Sequence, residues 1–346
     1  MKHSNGAQTD GSRLLVVRLA SSFALDQGGD DVRKQKETTT MRVLIKAVLL
    51  GGVVSLGALP ALAQETPYAM INAAAQASAV TVTPLRGGVS LLQGSGGNMA
   101  AFASADGLFL IDDGISISRE KIEVALHGIS PAPIRYAVNT HWHWDHADGN
   151  GWVHRDGAVL IAHANTARHL TQTIRVEEWG HTFTPTEKDG QIAQLVSSEK
   201  TMQFGGDSIR LRPYMPSHTD GDLSAYFAKA DVMLTGDTWW NGLYPFIDYV
   251  AGGSIDGMIR AAQANVEMAG VKTIVVPGHG PVGGRADLVE YRDMLKAIRA
   301  KVAALKAQGR TLDETIAARP TADYDAKWGQ AIISPALFTT LVYRGV

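Results

Sequence analysis

The chain has 346 residues, of which 45% are hydrophobic and 19% charged, and its formal net charge is −2. This composition is typical of a globular protein with a hydrophobic core, and the slight negative charge gives no reason to expect a nucleic-acid partner. The absence of cysteine excludes disulfides, a thiol nucleophile and thiolate metal ligands.

Residues 1–40 do not resemble a folded segment. They mix charged residues with Gly, Ser and Thr and show no apolar periodicity. We therefore expect a non-native or disordered extension, with Met41 as the true start of the protein.

Residues 41–63 have the three parts of a secretory signal peptide. Arg42 and Lys46 form the basic part, an apolar run follows, and the segment ends in Ala61-Leu62-Ala63, an A-x-A cleavage site. The apolar run is short for a stable membrane span. We therefore expect an exported protein, periplasmic or secreted. The loss of residues 1–63 removes eight basic and five acidic residues, which changes the net charge from −2 to −5.

We expect residues 64–346 to form one domain. Its first part has short apolar runs separated by Gly-rich turns, which predicts strands at AVTVTPL, VSLLQG, NMAAFAS and GLFLIDDG. A helix is predicted at residues 118–127, followed by strand IRYAVNT. Strand AVLIAH, a helix at residues 165–175 and a polar, irregular flap at residues 176–200 complete this half.

The second half repeats this order. Strands SIRLRPY, LSAYFA and DVMLTGD lead to a helix near residues 255–268 and to strand TIVVPGHG. The part from 286 to 346 is predicted to be helical, since apolar residues recur three and four apart between Leu288 and Leu305. Two halves of this kind predict an α/β fold in which two sheets pack together with helices outside.

The stretch HWHWDH, residues 141–146, directly follows an apolar predicted strand. Alternation along an extended backbone points His141 and His143 to the same side, and Asp145 and His146 follow as the chain turns. Neutral imidazole and carboxylate groups suit Zn²⁺ or another first-row metal. The stretch therefore predicts a metal site.

Three further residues of metal-binding type come after predicted strands. His218, Asp237 and His279 each lie in a turn that contains Gly or Pro at the carboxyl end of a strand. Active sites gather at such ends, because the sheet holds the loops in place. We expect these three residues to join the histidine cluster.

The motif order H-x-H-x-D-H, His, Gly-Asp and Gly-His-Gly resembles the metallo-β-lactamase superfamily of hydrolases over residues 78–283. The resemblance implies an αβ/βα four-layer sandwich, here with C-terminal helices, and two Zn²⁺ at one edge, although other first-row metals would also suit the site. It implies that Asp237 bridges the two cations. Each cation would have three further ligands: His141, His143 and His218 for one, and Asp145, His146 and His279 for the other.

Two positions resemble particular branches of that superfamily. Asp237 matches the glyoxalase II-like and lactonase-like branches, whereas the β-lactamases proper typically have Cys or Ser there. His143 stands where the flavodiiron branch typically has Glu, which favours hydrolysis. Asp112, in LFLIDDG, matches the acidic position of the first motif; it either accepts a hydrogen bond from a ligand histidine or caps a turn.

The resemblance implies that a metal-bound hydroxide attacks the carbonyl of a small acyl substrate: a lactone, a thioester or a β-lactam. Asp145 is the candidate catalytic residue, which orients the hydroxide and moves a proton. Tyr244, Trp240 and His181 are candidates for the substrate pocket, and core packing explains Tyr244 and Trp240 equally well. The alternatives are a β-lactamase acting on antibiotics, a mononuclear iron sulfur dioxygenase, and a zinc-dependent accessory or binding protein. The oligomeric state stays open.

Overall fold

A computed structural model describes residues 65–214 and 216–346. The extension at residues 1–40 and the signal peptide at residues 41–63 lie outside the described residues, and both stay predictions. No helix in the described ranges is both long enough and apolar enough to cross a membrane.

Seven strands form the first sheet, in the order β1-β2-β3-β4-β5-β6-β9. Their bounds are Thr81–Pro84 (β1), Val89–Gln93 (β2), Met99–Ser104 (β3), Gly107–Ile111 (β4), Ile134–Val138 (β5), Val159–His163 (β6) and Gln194–Val196 (β9). The first four strands pair antiparallel, and β4, β5, β6 and β9 pair parallel. A separate hairpin contains Ile174–Val176 (β7) and His181–Phe183 (β8).

Five strands form the second sheet, in the order β10 to β14. Their bounds are Lys200–Phe204 (β10), Asp207–Pro213 (β11), Leu223–Phe227 (β12), Val232–Leu234 (β13) and Ile274–Val276 (β14). All neighbours pair antiparallel except β13 and β14, which are parallel. The parallel pair brings two carboxyl ends to the same edge of the sheet.

The helices lie on the outer faces and at the C-terminus. Their bounds are Pro67–Ala77 (α1), Arg119–Ile129 (α2), Trp144–Ala147 (α3), Asn150–Arg155 (α4), Ala164–His169 (α5), Ile255–Met268 (α6), Arg285–Ala307 (α7), Leu312–Ala317 (α8), Asp325–Trp328 (α9) and Pro335–Arg344 (α10). The predicted C-terminal helices are therefore confirmed.

Both faces of the first sheet are buried at its central strand β4. Phe109 and Ile111 of β4 point into the core between the sheets, where Phe109 meets Phe227 of β12 at 6.2 Å between ring centroids. Leu108 and Leu110 of the same strand point outward, into a cluster with α2 and α4. Helices α6 and α7 cover the second sheet in the same way. The predicted four-layer αβ/βα sandwich is confirmed.

Two predicted elements differ from the structure. The helix predicted at residues 165–175 ends at His169, because strand β7 begins at Ile174. The predicted flap at residues 176–200 contains strand β8 and also β9, which pairs with β6 in the first sheet. These short strands lie in a polar stretch without apolar periodicity and are held by their pairing partners, so the sequence alone does not predict them. Strand β10 was also not predicted. Helix α1 was not predicted at all.

Replacing Phe109 tests the packing between the sheets. Phe109→Ala leaves a cavity in the core, and we expect a loss of about 3–5 kcal/mol in the free energy of unfolding. Val124→Ala in α2 is the matched control, because this side chain is 74% exposed. Urea unfolding of both variants measures the difference; equal stability of the two would contradict the position of Phe109.

Candidate metal centre

The candidate site lies at one edge of the sandwich. Asp112 follows β4 and the stretch 141–146 follows β5 in the first sheet, while His218, Asp237 and His279 follow β11, β13 and β14 in the second. All come from the carboxyl ends of strands. Both sheets therefore contribute side chains to one place.

Four buried side chains form what we call the first group: His141, His143, His218 and Asp237. Each offers one ligand atom, and these atoms lie within 4.8 Å of one another. Nδ1 of His143 is 3.1 Å from Nε2 of His141 and 3.0 Å from Nε2 of His218. The three imidazoles therefore converge on a common point.

Three more side chains form the second group: Asp145, His146 and His279. Their ligand atoms also lie within 4.8 Å of one another. Nε2 of His279 is 3.4 Å from Nε2 of His146 and 3.4 Å from Oδ2 of Asp145. His279 is the most exposed of the three side chains, at 16%, so this group lies nearer the solvent.

The Asp237 carboxylate faces both groups. Its Oδ2 lies 3.4 Å from Nε2 of His218 and 3.3 Å from Nε2 of His279, and its Oδ1 lies 3.1 Å from Nε2 of His146. Gly278 makes this position possible, since a Cβ there would stand 2.0 Å from Oδ1. Burial alone would raise the pKa of Asp237, but the surrounding histidines hold it well below its usual range.

Three of the imidazoles are oriented by a hydrogen bond on the side that faces away from the site. Nδ1 of His218 donates to the Phe246 carbonyl at 2.8 Å. Nε2 of His143 donates to Asp248 at 2.9 Å, and Nδ1 of His146 donates to Asp112 at 2.8 Å. Because these protons sit on the outer nitrogens, the inner nitrogens present lone pairs to the site.

This donor set fits divalent cations. Burial lowers the pKa of His141 and His218, which favours their neutral forms. Burial would also lower the pKa of His146, but Asp237, Asp112 and Asp145 outweigh it and raise this pKa well above its usual value. Buried lone pairs and carboxylates this close together favour a positive charge between them, and imidazole and carboxylate are ligands that Zn²⁺ and similar metals accept.

Asp112 fixes the loop at Thr140 in addition to orienting His146. Its Oδ1 accepts from the backbone N–H of Thr140 at 2.7 Å, and its Oδ2 accepts from the Thr140 hydroxyl at 2.9 Å. The residue has a left-handed φ of 58°, which is unusual for a residue other than glycine. Burial raises the pKa of this carboxyl, and the contact with His146 opposes the rise.

Asp248 is a site residue that the sequence did not reveal. It is fully buried, accepts from His143 through Oδ2, and accepts from the backbone N–H groups of Val250 and Ala251 through Oδ1, both at 3.0 Å. It lies at the end of the aromatic stretch TWWNGLYPFID, about 100 residues after its partner. In the sequence, no motif distinguishes Asp248 from the other aspartates.

Asn98 is a second residue that sequence reasoning missed. Its backbone N–H donates to the carbonyl of Gly278 at 2.8 Å, and its Nδ2 donates to the carbonyls of Pro277 and Gly280 at 2.9 and 3.0 Å. It therefore fixes the turn that carries His279. In the sequence it looked like the first residue of a strand.

The candidates for the substrate pocket have different positions. Tyr244 is 1% exposed, it stacks on Phe338, and its hydroxyl hydrogen-bonds to Asp325 at 3.0 Å, which matches the core-packing alternative for this residue. Trp240 is buried beside the site, with its ring centroid 4.1 Å from that of His279. His181 is partly exposed on strand β8.

The family model described as the metallo-beta-lactamase superfamily matches residues 92–304. The chain belongs to this superfamily and is a metal-dependent hydrolase. No curated protein sequence was found to match the chain significantly.

Solved structures share the fold. The DIM-1 metallo-beta-lactamase is 19% identical with a TM-score of 0.51, and the match covers 63% of this chain and 97% of that one. A metallo-beta-lactamase from Pontibacter korlensis is also 19% identical, with coverages of 63% and 99% and a TM-score of 0.50. The sec-alkylsulfatase Pisa1 from Pseudomonas sp. is 18% identical with a TM-score of 0.58; the match covers 77% of this chain and half of that one.

The contact between His143 and Asp248 can be tested with Asp248→Asn. The amide oxygen would stay with the backbone N–H groups of residues 250 and 251, so the NH₂ group would face His143. His143 would then move its proton to Nδ1, the nitrogen that faces the site. We expect zinc affinity to fall about 10–100-fold, measured by competition with a chromophoric chelator. Asp293→Asn on the surface of α7 is the control, and unchanged affinity in Asp248→Asn would contradict this role.

Proposed function

We propose that this protein is an exported hydrolase with two zinc ions that cleaves a small acyl compound: a lactone, a thioester or a β-lactam. The observation that carries the proposal is the position of Asp237. Its two carboxylate oxygens lie within 3.1–3.4 Å of histidines from both groups. A carboxylate placed in this way favours two filled sites over one.

The chain's residues divide into two ligand sets. Three histidines of the first group would hold one cation, the second group would hold the other, and Asp237 would contribute to both. When bound, two such cations supply a water molecule of lowered pKa and a Lewis acid for a carbonyl oxygen. Hydrogen bonds on the outer nitrogens keep four ligand histidines in the required tautomers. The partners are Thr140, Asp112, the Phe246 carbonyl and Asp248.

Asp145 is the residue that handles the proton. Its Oδ2 lies 3.4 Å from Nε2 of His279 and 3.8 Å from Nε2 of His146, so the carboxylate borders the second group. There it orients the attacking water and accepts its proton at Oδ2, which it then passes to the leaving group. The Trp240 ring, beside His279, shields this side of the site from bulk water.

The residue at position 237 favours a particular class of substrate. An aspartate there resembles the lactonase-like and glyoxalase II-like branches, so we favour a lactone or thioester over a β-lactam antibiotic.

Residues 41–63 support export, because they have the parts of a signal peptide. N-terminal sequencing of the mature protein tests this part: a chain that retains residues 41–63 would contradict it.

Asp237→Ala tests the shared ligand. We expect the variant to retain less than two zinc ions per chain and to lose at least about 100-fold in kcat/KM, because both sites lose a ligand. Elemental analysis and steady-state kinetics measure the two effects, with Asp293→Ala as the surface control. Full activity with two metals retained would contradict the proposal.

A substrate panel on the zinc-loaded protein tests the reaction. It should contain lactones, thioesters, β-lactams and a secondary alkyl sulfate, because structural neighbours include β-lactamases and an alkylsulfatase. Turnover of a lactone or thioester supports the proposal, and preferred turnover of a β-lactam or sulfate redirects it. One iron per chain would support a dioxygenase instead, and two zinc ions without any turnover would support a binding protein.

A further inference from the structure

Helix α1, Pro67–Ala77, lies before the part of the chain that matches the superfamily, which begins at residue 92. We propose that α1, through Tyr68 and the carbonyl of Ile71, positions the second group of ligands and affects the first group much less. The proposal rests on the two-cation centre proposed above. It makes Tyr68 a positioning residue, since it acts on the site through other residues.

The first contact runs through the tryptophan that precedes Asp145. The half-buried Tyr68 ring lies 5.1 Å from the ring of Trp144. On its other side it stacks on His181 at 3.6 Å with an interplanar angle of 10°, and it meets Phe183 edge-on at 5.8 Å. Strand β8 therefore supports the tyrosine, and the tyrosine supports the start of α3.

The second contact runs through the loop between β2 and β3, residues 94–98. The Ser95 hydroxyl donates to the carbonyl of Ile71 in α1 at 2.9 Å. The backbone N–H of Gly97 donates to the carbonyl of Asp145 at 3.3 Å. A Cβ at Gly97 would stand 2.2 Å from Cε1 of His146, so the loop backbone rests directly on that imidazole.

The same loop also reaches the last member of the second group. Asn98 donates to the carbonyls of Pro277, Gly278 and Gly280, which surround His279 in the chain. The loop that α1 holds therefore contacts Asp145, His146 and the turn of His279. The outer partners of the first group come from other segments: Thr140, Phe246 and Asp248.

Helix α1 is itself anchored at both ends. At its start, the Thr66 side chain caps the helix and packs against Gly180 in the β7–β8 connection. Near its end, the carbonyl of Ala75 accepts from the Ser118 hydroxyl at 3.1 Å and from Nζ of Lys121 at 3.0 Å. Metal ligands on loops need such support, because a site that is loose by about 1 Å binds poorly.

The experiment measures zinc affinity in two backgrounds that isolate the groups. His218→Ala disables the first group and His279→Ala disables the second. Tyr68→Ala is added to each, and the metal-free proteins are titrated with zinc against a chromophoric chelator. We expect Tyr68→Ala to weaken binding about 10-fold in the His218→Ala background, and to change it less than about twofold in the His279→Ala background.

Three controls separate positioning from general destabilisation. Tyr68→Phe should restore the affinity, because the contacts with Trp144 and His181 are made by the ring. Met70→Ala, on the exposed face of the same helix, should have no effect, and the metal-free Tyr68→Ala protein should still be fully folded at the temperature of the zinc titration. Ser95→Ala breaks the other link to α1 and should weaken the second group in the same direction.

The result that overturns the proposal is an equal loss in both backgrounds or no loss in the His218→Ala background. A Tyr68→Phe variant with the same weak zinc binding as Tyr68→Ala would also overturn it. A wild-type chain that binds only one zinc overturns both this proposal and the two-cation centre. Two zinc ions in the wild type with no turnover of any acyl compound overturn only the proposed reaction.

Discussion

The structure depends on one electrostatic constraint: six buried or nearly buried imidazole and carboxylate ligands converge around Asp237. This arrangement is unfavourable in an apolar interior unless positive charge compensates it. The raised pKa of His146 and the lowered pKa of Asp237 both express that need. The proposed pair of divalent cations would satisfy it, so the carboxylate at position 237 is more informative about function than any single histidine.

The fold provides the constraint by bringing strand ends from two sheets to the same edge. The first sheet supplies residues 141–146 and the second supplies His218, Asp237 and His279. Each loop is then fixed by hydrogen bonds that run away from the site, to Asp112, Phe246 and Asp248. These outer contacts set the tautomers and turn the ligand nitrogens toward the site. The loop at residues 94–98, whose Ser95 hydrogen-bonds to α1, contacts Asp145, His146 and the turn of His279.

Much of this was predictable from the sequence because the ligands lie in compact motifs at strand ends. Apolar runs buried on both faces identified nearly every strand of the two sheets, and 3.6-residue periodicity identified α6 and α7. Asp248 and Asn98 were not predictable, since each acts on a residue far away in the sequence and neither belongs to a motif. Strands β7 to β10 were missed, because they lie in or next to the polar, irregular stretch at residues 176–200, where apolar residues do not alternate. Tyr244 lies near Asp237 in the sequence but packs on Phe338 of the C-terminal helices, which is the core-packing alternative for this residue.

We propose that Asp237 is shared between two cations, and X-ray absorption spectroscopy on the zinc-loaded protein measures this arrangement. We expect a zinc–zinc distance of about 3.5–4 Å, as in other two-metal sites, and its loss in Asp237→Ala. A wild-type spectrum with zinc bound and no metal–metal scattering at that distance would show that Asp237 is not shared.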